Sequence, residues 1–231
     1  IDGSSFYERE IKKVPLEMIQ PSWMIFSDGF NVGSFNAVIR RTFDMFASLL
    51  LLLVSWPLML VTIFCIKLEE GLKAPILYSQ ERVGLNGQSF FVHKFRSMRT
   101  DAEKKGEAIW AQKNDTRVTR VGEFIRKVRI DELPQIFNVL VGDMSFVGPR
   151  PERPVFVKQL NENIPYYSER HRVKPGITGW AQLCFAYADS EEDSREKLQY
   201  DLYYIKNQSL LLDILILIQT VEVVLFKKGS R

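Results

Sequence analysis

Apolar and polar positions are unevenly spread along the 231-residue chain: the apolar ones pile up in two blocks and the charged ones concentrate between them. The first block, residues 45–66, has no charged residue between Asp44 and Lys67. A bilayer-spanning helix needs about 20 such residues, and a buried core helix of that length would carry a polar face. Membrane insertion is therefore predicted. Pro57 falls near the middle, just after Ser55 and Trp56. An interior proline removes a helical hydrogen bond and kinks the helix, and a nearby serine can satisfy the freed carbonyl. Arms of about ten residues rising 1.5 Å each are too short to cross. Arg40 and Arg41 precede the block, and Lys67 and Lys73 follow it. Positive charge at both ends fits a hairpin with both ends cytoplasmic; a straight span is the alternative. The second block, Leu210–Phe226, is interrupted by Asp213 and Glu222. It predicts a helix lying in the membrane interface or packed on the domain. Lys227, Lys228 and Arg231 at its end suit the helix dipole and anionic headgroups.

Between the blocks the pattern is that of a compact domain. Ser89–Phe95 reads as a strand introduced by a turn at Leu85-Asn86-Gly87. Residues 101–112 are polar and helix-compatible, 121–128 form an apolar-periodic piece, and 134–141 continue as a helix with Ile136, Phe137 and Leu140 on one face. Gly142, Gly148, Pro149 and Pro151 then break the chain into a loop, and further helices are expected over 154–161 and 191–207. Residues 1–38, punctuated by Pro15, Pro21, Gly29 and Gly33, read as an irregular lead-in. The chain begins at Ile1 with no signal-peptide pattern, so more protein is expected upstream. The division is thus lead-in 1–38, membrane hairpin 39–73 and a compact domain over 74–231 that includes the second apolar block. The fold class is α/β, mostly helical with a small sheet, with interfacial amphipathic helices on a cytosolic domain.

Charge adds mainly exclusions. With 31 basic and 28 acidic residues there is no electrostatic case for nucleic acid. Cys65 and Cys184 lie far apart, without metal spacing or a disulfide framework, which fits a reducing, cytosol-facing domain. The two histidines, His93 and His171, sit in unrelated segments, so acid–base chemistry on histidine has little support.

The stretch from Arg126 through Asp131-Glu132 to Pro134, followed by Gly148-Pro149-Arg150-Pro151, carries the candidate chemistry. Asp131 stands where a helix N-cap is expected and Pro134 in the first turn; a carboxylate there would feel the positive helix end and stay ionised. Adjacent acids with arginines nearby suit a diphosphate: carboxylates hold Mg²⁺ through oxygen, and guanidinium groups clamp phosphate in a fork. An ionised aspartate can also attack phosphorus. The plain alternative is that Asp131 caps a helix and Glu132 faces solvent.

Four motifs in register go further: Lys94-Phe95-Arg96-Ser97-Met98, Asp131-Glu132-Leu133-Pro134-Gln135, Gly148-Pro149-Arg150-Pro151, and the run from Lys174 to Gln182. Over roughly residues 36–231 the chain resembles the bacterial sugar transferases, the monotopic polyprenyl-phosphate phosphoglycosyl transferases. The resemblance implies transfer of a sugar 1-phosphate from a UDP-sugar to undecaprenyl phosphate with release of UMP, initiating exopolysaccharide, capsule or O-antigen assembly. It implies Asp131 as nucleophile, Glu132 with Asp131 at Mg²⁺, and Lys94 and Arg150 facing phosphate, with Arg126 supporting the acidic pair. Arg96 and Arg117 are further candidates for phosphate, Arg117 lying with Asp115 in a nucleotide-side loop. It further implies a re-entrant helix anchored by Arg40 and Arg41 and broken at a Ser-Pro dipeptide, here Ser55-Trp56-Pro57. The implied setting is the bacterial inner membrane with the domain facing the cytoplasm; Leu210–Phe226 and the lead-in offer surfaces for a homo-oligomer. A metal-dependent diphosphate hydrolase and a non-catalytic assembly scaffold are the rival readings. The sugar is not legible.

Overall fold

The computed structural model describes residues 8, 10–19, 34–99, 117–185 and 190–226. The piece expected over 101–112, Asp115, and the basic residues after 226 lie outside them. The first apolar block lies within one helix, α1 (Ser34–Glu70), which runs without interruption through Pro57. Among the described residues it is the one helix long and apolar enough to cross a membrane, with a mean hydropathy of 2.6. Its buried positions, Asp44, Ser48, Ser55, Thr62 and Ile66, recur at steps of four and seven and so form one stripe. Leu53, Val54, Trp56 and Phe64 point outward. The Ser55 hydroxyl reaches Met59 Sδ at 3.9 Å, not the carbonyl that Pro57 leaves free.

Both ends of α1 bear on the same domain. At the N-terminal end Arg41 donates to Val139 O and Leu140 O at 2.5 and 2.6 Å, while Asp44 accepts from Ser145 Oγ and the Phe146 amide. Arg40 bonds Asp213 Oδ2 at 2.8 Å and the Tyr204 hydroxyl at 2.5 Å. The two arginines expected to anchor the helix are thus committed to protein acceptors. At the other end Glu69 accepts from the Arg120 and Val121 amides at 2.8 and 2.9 Å. Lys67 is likewise committed, to the carbonyls of Leu72 and Ala74.

The hairpin β1 (Leu77–Val83) and β2 (Ser89–Phe95) follows, antiparallel, with Ser79 opposite His93. His93 is a strand residue, its Nδ1 2.9 Å from Ser79 Oγ. Asn86 and Gly87 take positive φ (54° and 76°), a region that asparagine and glycine enter at least cost. Next come α2 (Arg120–Lys127), which Thr119 caps through the Gly122 amide at 2.9 Å, and α3 (Gln135–Val141). The stretch read as a loop after Gly142 instead contains β3 (Ser145–Val147), which pairs in parallel with β4 (Gly176–Thr178). Three-residue strands between glycines and prolines are too short for a period to register. Helices α4 (Pro154–Asn163), α5 (Trp180–Cys184), α6 (Glu191–Lys206) and α7 (Leu210–Phe226) complete the fold. Asp213 and Ile216 of α7 turn inward, leaving Leu211, Ile218, Val221 and Phe226 exposed. Val139, Met144, Val147, Leu202, Tyr204 and Ile216 form the centre of the core.

Part of the lead-in belongs to that core. Val14 and Leu16 are buried in it, and the Val14 amide bonds Gln199 O at 3.0 Å. Lys13 pairs with Glu196, and Glu8 with Lys206. Lys12 O accepts from Trp180 Nε1 at 2.9 Å.

Candidate active site

Asp131 and Glu132 sit in a 3₁₀ turn, Ile130–Glu132, between α2 and α3, entered through Arg129 at φ 61°. This corrects the expected cap. The amides of Leu133, Ile136 and Phe137 are taken by the carbonyls of Ile130, Leu133 and Pro134, and Pro134 itself precedes α3, so no free helix end meets Asp131. Its Oδ1 is instead buried with no hydrogen-bond partner among the described residues. Burial pushes the Asp131 carboxyl above the usual range, Glu132 adds to the rise, and Lys94, Arg126 and Arg129 oppose it. The helix-end argument for an easily ionised acid does not hold here; the neighbouring cations offset part of the rise without cancelling it.

Glu132 is the opposite case. Its Oε1 takes Lys94 Nζ at 2.9 Å, Arg150 Nη2 at 3.3 Å and Arg129 Nη1 at 3.9 Å. Burial works against ionisation, yet Arg150 and Lys94 outweigh it and hold the carboxyl at about 2. Lys94 comes from β2 and Arg150 from the loop after β3. Arg150 also donates to Gln182 Oε1 at 3.4 Å, in the middle of α5, and the Gln182 amide nitrogen is buried without a partner among the described residues. Two acids facing Lys94, Arg126, Arg129 and Arg150 leave a formal charge of −2 + 4 = +2. A site of that balance favours a diphosphate.

The loop bearing Arg150 is closed tightly on its neighbours. A Cβ on Gly148 would lie 2.3 Å from Lys174 O, and one on Gly176 would lie 2.1 Å from the Gly148 amide nitrogen, so only glycine allows this approach. Arg96, also named from the sequence, donates to Pro75 O at 3.2 Å, bracing the segment before β1. Arg117 lies just before α2, where its carbonyl accepts from the Arg99 amide at 3.0 Å. Sequence reasoning singled out neither Gln182, although it closes a quoted motif, nor Arg82. Arg170, from the basic run before Lys174, is buried against Asp201 at 2.9 Å. Trp180 packs against Tyr203, with ring centroids 6.3 Å apart.

No group of three or more metal-ligating side chains occurs among the described residues. Magnesium does not need one, since it commonly binds through one or two carboxylates plus substrate phosphates and water. The unpartnered Asp131 Oδ1 beside Glu132 fits that mode.

A family model described as bacterial sugar transferase matches residues 35–227. The chain belongs to the bacterial sugar transferase family. Within it, the chain is 50% identical over 195 residues to the UDP-N-acetylgalactosamine-undecaprenyl-phosphate N-acetylgalactosaminephosphotransferase of Aeromonas hydrophila, covering 84% of this chain and 45% of that protein. It is 39% identical over 221 residues to the undecaprenyl-phosphate glucose phosphotransferase of Komagataeibacter xylinus, covering 94% of this chain and 41% of that protein. It is 40% identical over 192 residues to the exopolysaccharide production protein PSS of Rhizobium leguminosarum bv. phaseoli, covering 80% and 94%. The chain thus spans under half the length of the first two relatives. The sugar transferase match takes in every element from α1 to α7.

Proposed function

We propose that the chain transfers a sugar 1-phosphate from a UDP-sugar to undecaprenyl phosphate through a covalent intermediate on Asp131. The observation that carries this is the pairing of a buried, unpartnered Asp131 oxygen with a Glu132 already neutralised by three cations. One acid is left for chemistry while the other organises charge. Asp131 Oδ1 attacks the sugar-bearing phosphorus, the bond to the UMP oxygen breaks, and UMP leaves. An oxygen of the lipid phosphate then attacks the same phosphorus and frees Asp131. Arg150 and Lys94 bind phosphate oxygens and offset the charge that develops there. Magnesium, held by Asp131 and Glu132 with the diphosphate, would supply further charge neutralisation. The relatives' names support the lipid acceptor, and one names a UDP-sugar. Purified protein incubated with UDP-sugar carrying a labelled sugar, with no lipid present, is expected to retain about one label per active site and release one UMP. Steady UMP release without acceptor would mean a hydrolase, and neither label nor turnover would mean a scaffold.

The reading includes a re-entrant α1 at the inner membrane, with the domain on the cytoplasmic side. A straight crossing would put the two ends of α1 on opposite sides of the bilayer, yet Arg41 and Glu69 bind the same domain. That supports re-entry. Cysteines introduced at Thr42 and Gly71 are expected to react with a membrane-impermeant thiol reagent from the cytoplasmic side only; labelling from opposite sides would overturn it.

A further inference from the structure

The loop that carries Arg150 is held along four consecutive carbonyls. Pro149 O accepts from the Gly176 amide at 3.0 Å and Glu152 O from the Val83 amide at 2.9 Å. The two between them are taken by guanidinium groups: Arg150 O by Arg170 Nη2 at 2.9 Å, and Pro151 O by Arg82 Nη1 at 3.1 Å. Arg170 is nearly sealed from solvent, 6% exposed. Its Nε and Nη2 bond Asp201 Oδ2 at 3.1 and 2.9 Å, and its Nη1 bonds the Tyr167 hydroxyl at 2.7 Å. Every nitrogen of this guanidinium is engaged, and one of them ends on the main chain of the residue whose side chain reaches Glu132.

A buried ion pair is a poor device for stability alone, because apolar residues of equal volume often serve as well. What it supplies is direction, since a planar fork fixes the angle between its acceptors. Pro149 and Pro151 fix φ on either side of Arg150. The Arg150 carbonyl is the point at which this short segment is pinned from below.

We propose that Arg170, set by Asp201 and Tyr167, is a positioning residue that fixes the Arg150 guanidinium against the substrate phosphate, an inference that rests on the role given to Arg150 above. Lysine at this position keeps the charge and can keep Asp201, but a single nitrogen cannot span Asp201, Tyr167 and the Arg150 carbonyl together. Arg170→Lys is therefore expected to lower kcat by about 10- to 100-fold, the scale of an ångström of misplacement, with KM for the UDP-sugar changed by under about threefold. Hydrogen–deuterium exchange of the peptide spanning residues 145–153 is expected to speed up. In an Arg150→Ala background the same change should cost under about twofold more, since a group acting through Arg150 then has nothing to act on. Tyr167→Phe, which removes one bond, should give a smaller version of both effects and takes over if Arg170→Lys does not fold. Equal losses with and without Arg150, or unchanged exchange in the loop, would overturn the proposal. Wild-type turnover is measured first: its absence would sink the transferase reading alone, while loop exchange still decides the positioning role.

Discussion

Asp131→Asn is expected to lower transfer by at least about 10³-fold and to remove the covalent label entirely, since loss of a nucleophile costs most of the acceleration that a catalytic unit supplies. The substitution is nearly isosteric and Oδ1 has no hydrogen bond among the described residues to lose, so the fold should tolerate it. Burial already disfavours the charged form at this position. A neutral amide is therefore easy to accommodate, and the thermal midpoint in detergent should stay level or rise slightly. The measurement is UMP release with acceptor, alongside label retained on protein without acceptor. Full turnover by the variant, or label that persists, would sink the covalent mechanism.

Glu132→Gln should damage both activity and stability, because this carboxylate is where Lys94, Arg129 and Arg150 meet. Without it, cations gathered at a single oxygen repel one another and lose their common anchor. A drop of about 10²- to 10³-fold in kcat/KM is expected, the scale seen on removing preorganised charge from an active site. The carboxyl is held at about 2 against 4.5 for an unperturbed group. At 1.36 kcal/mol per unit this is on the order of 3 kcal/mol of folding stability. Because the folded-state value is depressed, that stability is fully present above pH 4.5 and is lost as pH falls toward 2. The stability gap between wild type and variant, measured by chemical denaturation, should therefore be widest at neutral pH and close between those limits. A gap that does not change with pH would show that the ion cluster contributes nothing of the kind.

Much of this was legible from residues alone, for identifiable reasons. The helices α2, α3, α4, α6 and α7 carry apolar periodicity or a proline at the start, signals that survive without tertiary context. The convergence of Lys94, Glu132 and Arg150 was reached through motifs, since nothing in their spacing of 38 and 18 residues from one another predicts contact. β1 was missed although the Asn86-Gly87 turn implied a partner strand. Its less exposed side carries Tyr78, Gln80 and Arg82, so the run Leu-Tyr-Ser-Gln-Glu-Arg-Val shows no apolar alternation. The cap assigned to Asp131 failed because an acid before a proline looks the same whether a helix or a 3₁₀ turn follows. Nothing in the sequence distinguishes Arg170 from a solvated charge in a polar stretch; only the fold brings Asp201 beneath it.

The docked lead-in changes where this unit begins. Val14 and Leu16 fill the same core as Val139 and Leu202, although α1 separates them in sequence. The long apolar helix is therefore an excursion made from within the fold, leaving one layer of the core and returning to another, and not a tail hung on a finished enzyme. A fragment cut at Ser34 to obtain the minimal enzyme would open a hole beside α6. Conversely, force applied to any upstream part of a longer chain would arrive first at Glu8 and its partner Lys206, and next at Lys12 and Trp180, two residues from Gln182, before it reached α1.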